Sequence, residues 1–445
     1  MKAFSRYVSD VRIEPVSLTN DRSTRRLVSN VVLKTTADVV SKSVTLIVTV
    51  VAARALSPSE FGVLALAMTT GWLLSVASDA GLPLFLAKEA AQPALGRPMS
   101  VTSVLHVVRI RSWFGAFALA CGMIVGFFVA PRGTAVAFTL IVLAQLTTAV
   151  VDTLSHAYRG IDRSDIESKL TLTVRLTTGV TAVWLLWTSP SLLGLAIVMA
   201  ALPLAGLLLS IGIATRVFRS DTNDAVDLSG RRLVREIGPL GAGILISALY
   251  FRCDVYFIEW WYGIDAVGVY NAAFRIVEAL RLFPAAVLAV AFPFLCRAGD
   301  GRPVRQLSAL LFASGTLVMA ALLTTSAMVL EVLYGTRFVE AAPALRILAL
   351  ALPLFFANYA LTHQVIAWQG QHSYLAITLV ALGSNLVGNL ALIPSYGMTG
   401  AAASTLLTEI VVAAGCIMAL VRMSRQQLPR VSPAVDLSGH SVRAQ

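Results

Sequence analysis

The sequence predicts an all-α polytopic membrane protein, with about twelve transmembrane helices in two six-helix bundles related by pseudo-two-fold symmetry around a central cavity. Three observations carry this: the composition, the placement of lysine and arginine, and a repeat spaced by half the chain. Hydrophobic residues make up 57% of the 445 residues, charged residues 13%, and mean hydropathy is +0.77. A soluble domain sits near about 45–50% apolar and about 25% charged. A set of two or three soluble domains is therefore excluded.

Twelve apolar segments follow in order, at 31–53, 61–83, 113–131, 134–158, 170–189, 191–215, 236–258, 266–295, 305–330, 341–366, 372–393 and 397–421. At about 20 residues per crossing, twelve spans use roughly 250 residues, which the chain accommodates with short loops. Most segments are rich in Leu, Val and Ala with interior Gly and Ser, small residues that let helices approach closely in lipid. The expected divisions are a cytoplasmic N-terminal segment at 1–30, a first bundle at 31–215 and a linker at 216–235. A second bundle at 236–421 and a disordered cytoplasmic tail at 422–445 complete the chain. The first thirty residues carry no short apolar run with a small-residue cleavage site, so the first apolar segment reads as a retained span.

With both termini on the cytoplasmic side, the inner segments hold 26 lysines and arginines and the outer loops hold three, Arg54, Arg132 and Arg337. That asymmetry sets the orientation by the positive-inside rule. It also absorbs most of the formal net charge of +11. The cations then serve insertion and contact with anionic membrane lipid, and nucleic acid is not an expected partner.

The repeat is visible in the glycines that follow outer loops. Gly62 in EFGVLALA and Gly268 in AVGVYNAA lie 206 residues apart, as do Gly194 in LLGLAIV and Gly400 in MTGAAAS. Each opens an even-numbered span. Six spans per half keep both halves in the same orientation, the arrangement of a transporter built from parallel repeats.

Charged residues inside the spans are the candidate site. A charge at the centre of a lipid-facing helix costs about 2.5–3.5 kcal/mol. A dozen of them facing lipid would cost on the order of 30 kcal/mol, above the whole stability of a typical protein at about 5–15 kcal/mol. Most must face protein or a wet cavity. Lys34, Asp38 and Lys42 recur every four residues and share one helix face. They read either as the lining of a cavity for an anion or as an ion-pair ladder. Arg252 and Asp254, two apart, point to different sides of their helix. Asn271, Arg275 and Glu278 share a face one turn before Arg281, and Arg275 can pair with Glu278. An arginine fork matches phosphate oxygens bidentately. Asp152 and His156, four apart, are a carboxylate–imidazole pair able to relay protons or to cap the inner end of the span. The cationic set is thus Lys34, Lys42, Arg252, Arg275 and Arg281, and the candidates for ion or proton coupling are Asp38, Asp152, Asp254 and Glu278. Asn385 and Asn389 read as helix–helix glue, and Pro284, Pro293 and Pro353 as kinks.

Cys121, Cys253, Cys296 and Cys416 share neither CxxC spacing nor a loop, so they read as small apolar side chains, with no disulfide and no metal site expected. No Walker A, GxSxG or HExxH sequence occurs, and no long outer loop could hold a transferase site. The reading is a non-enzyme without a cofactor.

Three stretches resemble the Wzx-type oligosaccharide flippases of the multidrug/oligosaccharidyl-lipid/polysaccharide exporter superfamily. They are AARALSPSEFGVLALA (52–67) with SDAGLPLFLAKEAA (78–91), DVYFIEWWYGIDAVGVYNAAFRIVEAL (254–280) running on to FPFL (292–295), and LIPSYGMTGAAASTLLTE (392–409). With the topology, the resemblance covers residues 25–425. It implies a multi-pass bacterial inner-membrane protein, a monomer, moving a polyprenyl-pyrophosphate-linked glycan by alternating access for exopolysaccharide, capsule or O-antigen. A polysaccharide polymerase or other assembly protein is the partner class this leaves open. The resemblance further implies that the charged stripe of Lys34, Asp38 and Lys42, with Arg252 and Arg275, lines the cavity and meets the pyrophosphate or an acidic sugar. The rival within the superfamily is a cation-coupled multidrug antiporter, whose cavity should favour carboxylates over cations.

Overall fold

The computed structural model describes residues 21–79, 101–161, 163–218, 230–297 and 302–427, and within the described residues the chain is helical without strands. The helices are α1 (Asp21–Ala55), α2 (Pro58–Ala77), α3 (Val101–Val129), α4 (Ala135–Gly160), α5 (Ser164–Thr188) and α6 (Leu192–Val217). There follow α7 (Gly230–Arg252), α8 (Asp254–Leu280), α9 (Leu282–Arg297), α10 (Arg302–Tyr334), α11 (Ala342–Ala367) and α12 (Gln371–Gln427). A 3₁₀ turn at Thr336–Ala341 joins α10 to α11.

Ten helical stretches are long and apolar enough to cross a membrane among the described residues. Two of them turn back on themselves. Gly241–Leu288 breaks at Gly263 and Gln371–Ser424 breaks at Gly397, which brings ten stretches to twelve crossings. Both breaks hold a glycine at positive φ, 79° and 54°, where a Cβ would meet the carbonyl oxygen.

The chain divides into two compact units, Met1–Val234 and Arg235–Gln445. In the first, α1 packs on α5, while α4 packs on α2, α3 and α6. Its core includes Val104, Leu154, Tyr158 and Phe218, with the Tyr158 hydroxyl donating to the Ser210 carbonyl at 2.8 Å. In the second, α11 packs on α10 and α12, and α8 packs on α12.

Helix ends follow local chemistry. Ser57 caps α2: its hydroxyl accepts from the Glu60 amide, the Glu60 carboxylate accepts from the Ser57 amide, and Pro58 opens the helix where its missing N–H is no loss. The break between α8 and α9 lies just before Pro284, which cannot donate to the Leu280 carbonyl. Pro353 sits inside α11, and Pro203 and Pro394 inside α6 and α12.

Several boundaries depart from the sequence reading. The helix α1 reaches back to Asp21, ten residues before the expected span at 31, and α3 begins at Val101, inside the stretch read as an inner loop. The first six residues of α5 and the last six of α12 likewise extend past the hydrophobic windows, because a helix does not end where its apolar run ends. Residues 219–229 of the expected linker and 428–445 of the expected tail lie outside the described residues.

The two arms of α12 close where small residues face backbone. A Cβ on Gly400 would stand 2.4 Å from the Leu392 carbonyl oxygen, whereas one on Gly212 of α6 would meet nothing within 4 Å. We expect Gly400→Ala to destabilise the folded protein by about 1–3 kcal/mol through overpacking, and Gly212→Ala to leave it unchanged. Thermal unfolding of the two variants in one detergent measures the difference.

Candidate functional site

The second unit gathers charged side chains in the interior of its crossings. The junction of α7 and α8 at Cys253 sets two of them. Arg252 ends α7 and Asp254 begins α8, so each charge sits at the helix end whose dipole it complements. They diverge, as their spacing requires. Arg252, 2% exposed, donates from Nη2 to the Asn271 Oδ1 at 2.8 Å and lies over the Phe274 ring at 4.4 Å. Asp254, 1% exposed, accepts from the Val255 amide at 2.9 Å and from the Tyr270 hydroxyl at 2.5 Å.

One helix of α8 then carries the rest. Arg275 donates to the Glu278 carboxylate at 2.8 Å, and Arg252 reaches the same carboxylate at 3.8 Å. Glu278 therefore bridges two guanidinium groups. Arg281, at the end of α8, lies over the rings of Phe251 at 3.9 Å, Phe355 at 4.7 Å and Tyr359 at 5.6 Å. Such stacking holds a weakly hydrated guanidinium in apolar surroundings. It also brings Arg281 within electrostatic range of Glu278 and of Glu409 on α12. Glu409 is 4% exposed and accepts from the Asn358 side chain at 2.7 Å.

Five predicted site residues, Arg252, Asp254, Arg275, Glu278 and Arg281, are thus brought together. Three arginines face three carboxylates, Asp254, Glu278 and Glu409, so the fully ionised set is neutral rather than cationic. Around it, buried donors stand without a hydrogen-bond partner among the described residues: Asn271 Nδ2, Arg281 Nε and the Tyr334 hydroxyl, the last within electrostatic range of Arg275 and Glu278. Buried polar atoms are ordinarily satisfied. Here several donors are left for an acceptor.

Beside this set runs a neutral network. The Cys253 thiol donates to Asn385 Oδ1 at 3.0 Å, Asn389 donates to the same oxygen at 2.9 Å, and Asn385 donates to the Thr408 hydroxyl at 3.0 Å. The asparagines do join helices. Cys253, read as a small apolar side chain, is instead a hydrogen-bonding member of a polar cluster. Cys296 lies outside the described side chains.

The remaining predicted residues belong to the first unit. Lys42 is exposed on α1, Asp38 is half-buried, and the side chain of Lys34 lies outside the described residues. Asp152 is exposed on α4. The His156 ring meets the Asp152 backbone carbonyl at 2.8 Å, not its carboxylate. The strongest pair here was not singled out from sequence: Arg159 binds Glu167 through two contacts of 2.7 Å, with Glu167 1% exposed. Asp38 and Asp152 both act on Arg159. Arg111, placed in a loop by the sequence reading, is a buried residue of α3 that donates to the Ser78 hydroxyl at 3.1 Å and the Ser75 carbonyl at 2.9 Å, within range of Asp79 and Asp152. No group of three or more metal-ligating side chains occurs among the described residues.

Residues 27–298 match the model of a family described as polysaccharide biosynthesis protein. An uncharacterized membrane protein of Methanocaldococcus jannaschii is 24% identical over 208 residues, 43% of this chain and 40% of the relative, so the chain spans about two-fifths of the length of the curated relative it matches. Among solved structures, a lipid II flippase in an inward closed conformation aligns at TM-score 0.66 and 14% identity, over 89% of this chain and 91% of that one. A MATE transporter of Vibrio cholerae aligns at 0.60 and 13%, over 90% and 97%. A transporter of Pyrococcus furiosus, described as having a binding pocket of reverse polarity, aligns at 0.59 and 13%, over 89% and 95%. These likenesses show the fold.

Removing the shared carboxylate should be the most damaging single change in the cluster. Glu278→Gln leaves Arg252 and Arg275 without it, a loss of about 3–5 kcal/mol for a fully buried pair and less here because Arg275 and Glu278 are 17% and 28% exposed. A cycle of Glu278→Gln with Arg275→Met should return a coupling within about 0.5–3 kcal/mol. Additive effects on unfolding would contradict the bridge.

Proposed function

This chain belongs to the polysaccharide biosynthesis protein family, and from that membership we propose that it is a flippase for polyprenyl-pyrophosphate-linked oligosaccharide repeat units. It is a multi-pass membrane protein, and on this reading it would act as a transporter rather than an enzyme. The lipid-linked unit would cross the bacterial inner membrane by alternating access, for exopolysaccharide, capsule or O-antigen assembly. Both termini would be cytoplasmic, as the 26-to-3 split of basic residues supports.

The observation that carries the reading is the set of unfilled buried donors around the arginines of the second unit. Arg281 Nε, Asn271 Nδ2 and the Tyr334 hydroxyl offer hydrogen bonds where an anion's oxygens would accept them. Arg275 and Arg281, both partly accessible, would meet the pyrophosphate. Arg252 is enclosed and would act through Glu278 and Asn271. The neutral charge balance gives coupling a physical basis. A proton on Asp254 or Glu278 would leave the set net positive and able to take a phosphate, and its loss would favour release.

A second reading, a cation-coupled multidrug antiporter, rests on the first unit. There four carboxylates, Asp38, Asp79, Asp152 and Glu167, surround Arg111 and Arg159. The arginines of the second unit favour the flippase.

Deleting the gene should abolish surface polymer and trap undecaprenyl-linked repeat units on the cytoplasmic leaflet. Unchanged polysaccharide with raised sensitivity to cationic drugs would favour the antiporter instead. In complemented cells we expect Arg275→Ala to lower polymer export by about tenfold, the equivalent of 1.4 kcal/mol, at an unchanged membrane level of the protein. Arg275→Lys should retain part of it, since lysine keeps the charge without the fork.

A further inference from the structure

The second unit carries an aromatic feature that the charged cluster does not use. Where α8 breaks at Gly263, Phe257, Trp261 and Trp260 form a stack. Phe257 and Trp261 have centroids 5.7 Å apart and planes 15° apart, and Trp261 and Trp260 are 5.4 Å and 14°. Aromatic pairs in protein interiors mix edge-to-face and offset geometries. Three near-parallel rings make a flat platform. Trp261 is its middle member at 38% exposure, and Trp260 is its outer member at 74%.

The platform is braced. Tyr262, next in sequence, donates its hydroxyl to the Pro394 carbonyl at 3.0 Å, and its ring stands 3.3 Å from where a Cβ on Gly397 would be. Both turns of the unit, at Gly263 and Gly397, therefore hold the same wall. Acidic side chains flank it in sequence: Glu259 precedes Trp260, and Asp265 lies just past the turn and is exposed.

The first unit offers a contrast. Trp184 and Trp187 line a groove of about 380 Å³ between α1 and α5 with Val44, Val48, Leu176 and Val180, and no polar atom contributes to its wall. Exposed tryptophans on an all-apolar wall fit a surface that faces lipid. Trp260 has a stacked partner behind it and carboxylates close to it in sequence.

We propose that the Phe257–Trp261–Trp260 stack is a carbohydrate platform, with the open face of Trp260 receiving a pyranose ring of the glycan head group. The negative face of an aromatic ring attracts the polarised hydrogens that a pyranose presents on its C–H face. The carboxylates of Glu259 and Asp265 accept from ring hydroxyls. A rigid stack binds with little loss of side-chain entropy. The proposal rests on the flippase reading and adds a sugar-binding surface apart from the charges that would hold the pyrophosphate.

The test uses the full chain in nanodiscs, labelled with 5-fluorotryptophan, with the Trp260 resonance assigned through Trp260→Phe. The probe is lipid-free oligosaccharide released by mild acid from the lipid-linked glycans of the producing cells. The Trp260 resonance should move on addition of the probe and stay sharp in lipid carrying an acyl-chain spin label. Probe binding should weaken at least fivefold in Trp260→Ala, remain close to wild type in Trp260→Phe, and be unaffected by Trp187→Ala. Broadening of Trp260 by the spin-labelled lipid with no response to the probe would overturn the platform and make it an interfacial anchor. That measurement on wild-type protein decides the matter even if Trp260→Ala fails to fold. Sugar-insensitive Trp260 with trapped lipid-linked units in the deletion strain would sink the platform alone. Unchanged polysaccharide in that strain would sink the flippase reading instead.

Discussion

The carboxylate of Glu278, held between Arg275 and Arg252, is the interaction on which the second unit depends. A guanidinium inside a crossing is tolerated only if its charge is answered nearby. Glu278 answers two at once, from the returning arm of α8, whose Asn271 and Phe274 meet Arg252. The hairpin at Gly263 makes this possible by folding α8 back so that Arg252 faces Asn271 and Asp254 faces Tyr270. Charge pairing and chain reversal are thus one structural event. Arg281 solves the same problem differently, with aromatic faces in place of a close carboxylate.

A balanced cluster has a functional consequence that an excess of cations would lack. A permanently cationic pocket holds its anion through the whole cycle and has no means to let go. A neutral set can be tipped, since one carboxylate proton changes its net charge by a full unit in a medium of low dielectric. On the proposed reading, the unfilled donors on Asn271, Arg281 and Tyr334 would give an incoming anion directional partners once the balance tips.

Much of this was legible in the sequence because it is local. The i, i+3 spacing of Arg275 and Glu278 predicts their pairing, and the two-residue spacing of Arg252 and Asp254 predicts their divergence. The apolar runs and their basic flanks place the crossings. What remained hidden depends on which helices meet. Glu409 is one more charge in a span until α11 brings Asn358 to it. The rings around Arg281 come from α7 and α11, and no spacing links them to α8. Cys253 becomes polar only because Asn385 and Asn389 arrive beside it. Arg111 looked like loop because its helix begins ten residues ahead of it, in a stretch with little apolar periodicity. His156 has the right spacing for Asp152, yet its ring takes the backbone carbonyl one turn back, an acceptor that every helix supplies.

The central claim is that the arginines of the second unit carry a pyrophosphate-linked glycan across the bilayer. Reconstitution tests it most directly. Purified protein in proteoliposomes, supplied with a fluorescent polyprenyl-pyrophosphate-linked oligosaccharide, should equalise the lipid between leaflets faster than protein-free vesicles do. Arg275→Ala should slow the protein-dependent rate by about tenfold while the protein stays folded. Equal rates with and without wild-type protein, together with gradient-driven export of a cationic dye, would contradict the account.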